Sequence, residues 1–263
     1  MHEVTVGACN GEMTLTVTFA GTGDAFGSGG RLQACIHVRR ESGGVFLIDC
    51  GTTSMVAMRR LGLDPGEVRT VFLSHLHADH FGGLPFLILD GQFTGRLDNL
   101  LVSGPVGTED RLVAAMEVFF PGSSAVRRKF RTRTVELAEQ GAGIDLPKDI
   151  DGVRVRAWLG DHPSGAPAFV LRLEVDGKVI AYTGDTAWTD GIIEASAGAD
   201  LLIAECYYRA RAVPYHLTYE TLLSYAGKLT CKRVILTHLS CDVRDHRADL
   251  AYETADDGLV MRV

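Results

Sequence analysis

The sequence has no run of eighteen apolar residues, so it offers no membrane-spanning helix. Its first residues, Met1-His2-Glu3-Val4-Thr5, lack the basic stretch and apolar core of a secretion signal. None of its six cysteines (Cys9, Cys35, Cys50, Cys206, Cys231 and Cys241) forms a CxxC pair. They are expected as buried free thiols in a reducing compartment, and the chain as a cytoplasmic protein. A glycine-rich loop, Gly21 to Arg31, follows the first strand-like run, but neither GxGxxG nor GxxxxGK is present there, which argues against a nucleotide loop. Positive charge is also short. The net charge is −7, which argues against an overall nucleic-acid footprint. No linker, low-complexity tract or short repeat divides the 263 residues, so one domain spanning 1–263 is expected.

What is present is concentrated. Ser74-His75-Leu76-His77-Ala78-Asp79-His80 holds three imidazoles and a carboxylate directly after the apolar run Thr70-Val71-Phe72-Leu73. Such a cluster costs too much desolvation to sit at a strand end without partners. His75 and His77 point the same way on an extended backbone. Asp79 and His80, on the following turn, can face a second point. This suggests two ions held side by side by ligands that zinc favours.

The order His-x-His-x-Asp-His resembles the signature of the metallo-β-lactamase fold superfamily, a set of mostly dinuclear zinc hydrolases. The resemblance implies an α/β fold: a four-layer αββα sandwich of two mixed β-sheets with outer helices. Periodicity agrees. Strands are expected at Thr14–Ala20, Ala34–Val38, Val45–Asp49, Leu100–Ser103, Val153–Trp158, Ala168–Glu174, Lys178–Tyr182, Asp200–Ala204, Arg233–Leu236 and Gly258–Val263. Helices are expected at Met55–Leu61, capped by Thr52, Thr53 or Ser54, and at Thr108–Phe120 and Thr218–Gly227. Met55, Met58 and Leu61 would share a core face, as would Leu112, Ala115, Met116 and Phe119. The basic stretch Arg127 to Arg133 reads as a solvated edge strand or helix end, with a phosphate-contacting patch as the alternative. His2, His37 and His246 have no ligand-like setting. Asp49 is either a support for the metal loop or a turn cap.

His75, His162, Asp185, Glu205 and His238 all sit at or just after the ends of apolar strands, and they would meet if those ends share one edge. Two ions need about three protein ligands each and a bridge. His75, His77 and His162 would hold the first ion, and Asp79, His80 and His238 the second, with Asp185 bridging. Zinc is the expected ion, and the donor set admits manganese or iron.

Within the superfamily the chain is most similar to the tRNase Z-like branch, whose members include phosphodiesterases acting on RNA and on small cyclic phosphates. The likeness rests on Ser74–Gly83, Gly184-Asp185-Thr186, Glu205, His216-Leu217-Thr218 and Thr237-His238-Leu239-Ser240. It implies that Glu205 orients His216 as proton donor to the leaving group; the chemistry of the site adds that Asp79 could orient or deprotonate a metal-bridging water. A carboxylate partner would also raise the His216 pKa. Two departures count against tRNA. Only 22 residues separate His162 from Asp185, too few for the tRNA-gripping arm, and Ala204-Glu205-Cys206-Tyr207 replaces His-Glu-Ala-Thr. The expected activity is therefore a dinuclear phosphodiesterase acting on a small or short phosphodiester, in a chain that resembles homodimeric relatives. A lactone, ester or thioester hydrolase on the same metals is the alternative.

Overall fold

The computed structural model describes residues 13–137 and 148–263. His2 and Cys9 lie outside them. Among the described residues, no helix is long and apolar enough to cross a membrane. The strands are β1 (Leu15–Gly21), β2 (Cys35–Arg40), β3 (Val45–Ile48), β4 (Val68–Phe72), β5 (Leu100–Pro105), β6 (Thr132–Leu137), β7 (Lys148–Ile150), β8 (Val153–Leu159), β9 (Phe169–Val175), β10 (Lys178–Tyr182), β11 (Leu201–Glu205), β12 (Val234–Thr237), β13 (Glu253–Thr254) and β14 (Leu259–Arg262). They form two seven-stranded sheets, ordered β14-β1-β2-β3-β4-β5-β6 and β13-β12-β11-β10-β9-β8-β7. Both are mixed, with parallel pairing from β3 to β6 and from β10 to β13.

Alternation builds the layer between the sheets. Val153, Val155 and Ala157 of β8 and Phe169, Leu171 and Leu173 of β9 turn inward against Val17, Phe19, Ile36 and Phe46 of the first sheet. Truncating such a buried leucine typically costs about 2–5 kcal/mol. In the parallel strand β11, Leu201 to Ala204 are buried on both faces, so it reads as a continuous apolar run. Helices α1 (Ser54–Arg60), α2 (Ala78–Phe81), α3 (Leu84–Thr94) and α4 (Thr108–Phe119) belong to the first sheet's outer side, where Met58, Leu84, Leu87 and Met116 join its core. On the other side, α5 (Gly191–Ser196), α6 (Tyr219–Ser224) and α7 (Cys241–Asp245) bring in Ile192, Leu222 and Val243. The αββα sandwich expected from the sequence is the fold observed.

Several local expectations change. The Met55–Leu61 face is core only in part, because Met58 is buried while Leu61 at the helix end is exposed. Phe119 is likewise exposed at the end of α4. Neither Thr52 nor Thr53 caps α1, because the Thr53 hydroxyl accepts from the Gln33 amide at 2.8 Å and the Thr52 hydroxyl bonds the Gln33 side chain. The expected helix Thr218–Gly227 is shorter, capped by Thr218, and passes into a 3-10 turn at Ala226–Lys228. The basic stretch leads into edge strand β6, with Phe130 buried and Arg128 donating to the carbonyls of Ser123 and Val126. Cys35, Cys50 and Cys206 are buried thiols, but Cys241 is exposed. His37 is buried on β2 with both ring nitrogens unpartnered.

Candidate metal centre

Strand direction assembles the centre. β9 runs antiparallel to both β8 and β10, so β8 and β10 point the same way, and β11 and β12 run parallel to β10. The four strand ends carrying His162, Asp185, Glu205 and His238 therefore share one edge. The end of β4, carrying Ser74–His80, meets them across the sandwich. The Phe169 amide donates to the Ser74 carbonyl at 2.9 Å. Gly184 lies against the same residue. A Cβ there would come within 2.7 Å of the Ser74 Cβ, and its φ of 57° is one that side chains disfavour.

The predicted ligands come together in two groups. His75, His77 and His162 present donor atoms within 4.8 Å of one another, and so do Asp79, His80, Asp185 and His238. His162 Nε2 is 3.0 Å from His77 Nδ1. Asp185 stands between the halves, with Oδ1 3.3 Å from His80 Nε2 and Oδ2 3.2 Å from His238 Nε2. Asp79 Oδ2 is 3.3 Å from His80 Nε2 and 3.5 Å from His238 Nε2.

Hydrogen bonds behind the centre set the tautomers. Asp49, buried at the end of β3 with φ 57°, accepts from the Ser74 amide and hydroxyl, both at 2.8 Å, and from His80 Nδ1 at 2.7 Å. Because the Ser74 hydroxyl gives its proton to Asp49, His75 Nδ1, 3.0 Å away, must donate to it. His162 Nδ1 donates to the Tyr215 carbonyl at 3.0 Å. In all three imidazoles Nδ1 is thus engaged, and Nε2 is the nitrogen left for the centre. Buried His75 Nε2, His80 Nε2 and Asp185 Oδ1 have no hydrogen-bond partner. Outward-satisfied, inward-orphaned imidazoles beside carboxylates are the donor set that a divalent ion completes. Burial, then neighbouring His80, pushes the His75 pKa well below its ordinary value, so the ring is neutral. Burial opposes charge on Asp185, but His238 and His80 outweigh it and hold its carboxyl well below the usual range.

Glu205 and His216 also meet. His216 Nδ1 lies 2.9 Å from Glu205 Oε2, and the Thr186 amide donates to the other carboxylate oxygen. Burial lowers the His216 pKa, against the rise expected from a carboxylate partner. Glu205 is itself raised by burial and by Asp185, so it offers less negative charge than an exposed carboxylate would. Thr183 and Thr186 tie the Asp185 loop, Thr183 accepting from the Glu205 amide at 2.9 Å and Thr186 from the Asp161 amide at 2.8 Å.

A cavity of about 210 Å³ opens over these groups, and Asp24, Ala25, Phe26 and Tyr207 complete its wall. The glycine-rich loop thus reaches the centre itself. Asp24 holds that loop by accepting from the Phe26 and Ser28 amides at 3.1 and 2.9 Å and from the Ser28 hydroxyl at 2.6 Å. Sequence reasoning gave no role to Tyr207 or to the Tyr215 carbonyl. For Tyr207 the available signal was its place two residues after Glu205, and for a backbone carbonyl there was none.

A family model described as anti-Pycsar protein Apyc1 matches residues 15–260. A ribonuclease Z of Bacillus mycoides is 30% identical over 277 residues, covering 86% of this chain and 89% of that protein. A ribonuclease Z of Methanosarcina acetivorans is 28% identical, covering 88% and 89% respectively. The crystal structure of the short form of human tRNase Z superposes with a TM-score of 0.76 at 26% identity, over 94% of this chain and 98% of that one.

Proposed function

The chain belongs to the anti-Pycsar protein Apyc1 family, in the tRNase Z-like branch of the metallo-β-lactamase fold, and from that premise we propose that this metal-dependent hydrolase cleaves a small or short phosphodiester at the centre described above. The observation that carries the reading is the Glu205–His216 pair beside two ligand groups. Carbonyl hydrolysis on the same ions would not require such a pair.

His75, His77 and His162 would hold one divalent ion and Asp79, His80 and His238 a second, with the Asp185 carboxylate available to both. Zinc fits this donor set. Bound there, the ions supply Lewis acidity and a water acidified to near neutrality. Asp79, lining the cavity, would orient the attacking water. Nδ1 of His216 is occupied by Glu205, so in the doubly protonated ring Nε2 carries the proton for the departing alkoxide. The backbone around Glu205 holds this pair still, through the Thr186 amide and Thr183. Between His162 and Asp185 the chain is filled by the β9–β10 hairpin, which favours a small substrate over a tRNA. The names of the ribonuclease Z relatives keep an RNA phosphodiester within the test.

The test is turnover of metal-loaded protein on cyclic phosphates, a short RNA, a precursor tRNA, lactones and thioesters. Cyclic phosphates or short RNA should be cleaved. The His216→Ala variant should lose about 10²–10⁴-fold in kcat on an alkoxide-leaving phosphodiester. Turnover of lactones or thioesters without any phosphodiester cleavage would sink the reading.

A further inference from the structure

The cavity wall has an unusual polar inventory for phosphodiester chemistry. Among the described residues lining it there is no lysine or arginine, and Tyr207 carries the one side-chain hydroxyl. The imidazoles and carboxylates of the two ligand groups are committed to ions, and His216 to the leaving group. The Asp24 carboxylate is taken up by Ser28 and Phe26. A transition state that spreads charge over the non-bridging phosphate oxygens has one uncommitted side-chain donor left on this wall, among the described residues.

Tyr207 is built to serve there. Its backbone is held on both sides, the amide donating to the Leu217 carbonyl at 3.0 Å and the carbonyl accepting from the Ser240 amide at 3.2 Å. Those contacts pin it between the loops bearing His216 and His238. Its ring lies tilted against both imidazoles, centroids 4.9 Å from His216 and 5.8 Å from His238. The hydroxyl makes no hydrogen bond within the described residues, although a buried or half-buried tyrosine usually finds one. A phenol also keeps its proton at neutral pH.

We propose that the Tyr207 hydroxyl donates a hydrogen bond to a non-bridging oxygen of the scissile phosphate, making it a catalytic residue alongside His216. The assignment rests on the phosphodiesterase reading above.

The test compares wild type, Tyr207→Phe and Tyr207→Ala as full-length, zinc-loaded proteins on bis-p-nitrophenyl phosphate, with metal content measured in each. Tyr207→Phe should keep two ions per chain and a KM within about twofold of wild type, while kcat falls about 10–100-fold, as for one lost hydrogen bond to a charged oxygen. A Tyr207→Phe kcat equal to wild type overturns the proposal, whatever Tyr207→Ala does, because only the ring would then matter. Loss of an ion from Tyr207→Phe also overturns it, since the role would be structural. A wild type that hydrolyses lactones but no phosphodiester fails the underlying reading, and the wild-type assay alone reveals this.

Discussion

The two sheets contribute to the centre in opposite ways. The first delivers His75, His77, Asp79 and His80 from one short stretch beyond β4, supported by a single buried carboxylate, Asp49. The second delivers His162, Asp185 and His238 from three different strand ends, and Glu205 and His216 from a fourth strand and the loop after it. In the first half a short segment and one partner hold the geometry. In the second, the geometry depends on four strands sharing a direction and on close approach at Gly184. A cluster of the first kind can be moved as a unit, whereas one of the second kind exists only in the folded sheet.

The harshest way to break this division is at the residue that joins the halves. Asp185→Asn keeps the shape but removes the charge facing His80 and His238. Bound metal should fall in dialysed protein and kcat should drop on the order of 10²–10³-fold. Two ions retained at full rate would mean that the halves meet without it.

A milder cut separates the halves. Asp49→Ala removes the carboxylate that holds His80 and Ser74 and that Tyr182 of β10 also meets. Metal affinity, measured by competition with a chelator, should weaken about 10–100-fold. At saturating metal, the rate ratio of the parent to its His216→Ala derivative should match that of wild type, because Glu205 still holds His216. A collapsed ratio would show that the second half leans on the first.

The smallest effect on the centre should come from a residue outside it. Burial, then nearby Arg39, lowers the His37 pKa from 6.5 to about 4. The unfolded chain therefore takes up the proton first on acidification. The stabilisation due to neutral His37 is complete above pH 6.5 and is lost as pH falls to about 4. It amounts to about 3 kcal/mol. Replacing His37 with Leu should flatten this part of the acid dependence in urea unfolding and leave kcat unchanged. An identical pH dependence in the two proteins would refute the assignment.

The candidate ligands within Ser74–His80 were legible because residues two apart on an extended chain share a side and a turn follows at once. Asp185 and His238 were legible as polar residues ending apolar runs. The role of Asp49 was left open, since a turn-capping aspartate and a ligand-supporting one read alike until Ser74 and His80 are seen on the same carboxylate. Leu61 and Phe119 kept the helical spacing of core residues but fall at helix ends, where periodicity says nothing about what covers them. The fall in the His216 pKa could not be read either, because it depends on how deeply its neighbours are buried.

By itself, then, the amino-acid order determined where the strands and helices fall, through alternation and apolar runs, the αββα layers through the resemblance carried by the histidine motif, and the identity of the candidate ligands through their chemistry at strand ends. Only the tertiary structure decided that β8, β10, β11 and β12 end on one edge, that Asp185 lies between His80 and His238, and that Tyr207 and the Asp24–Phe26 loop wall the cavity. The reason is range. Periodicity and spacing act over a few residues, whereas these contacts join segments as far apart in the chain as Thr22 and His238, whose backbones bond at 3.0 Å.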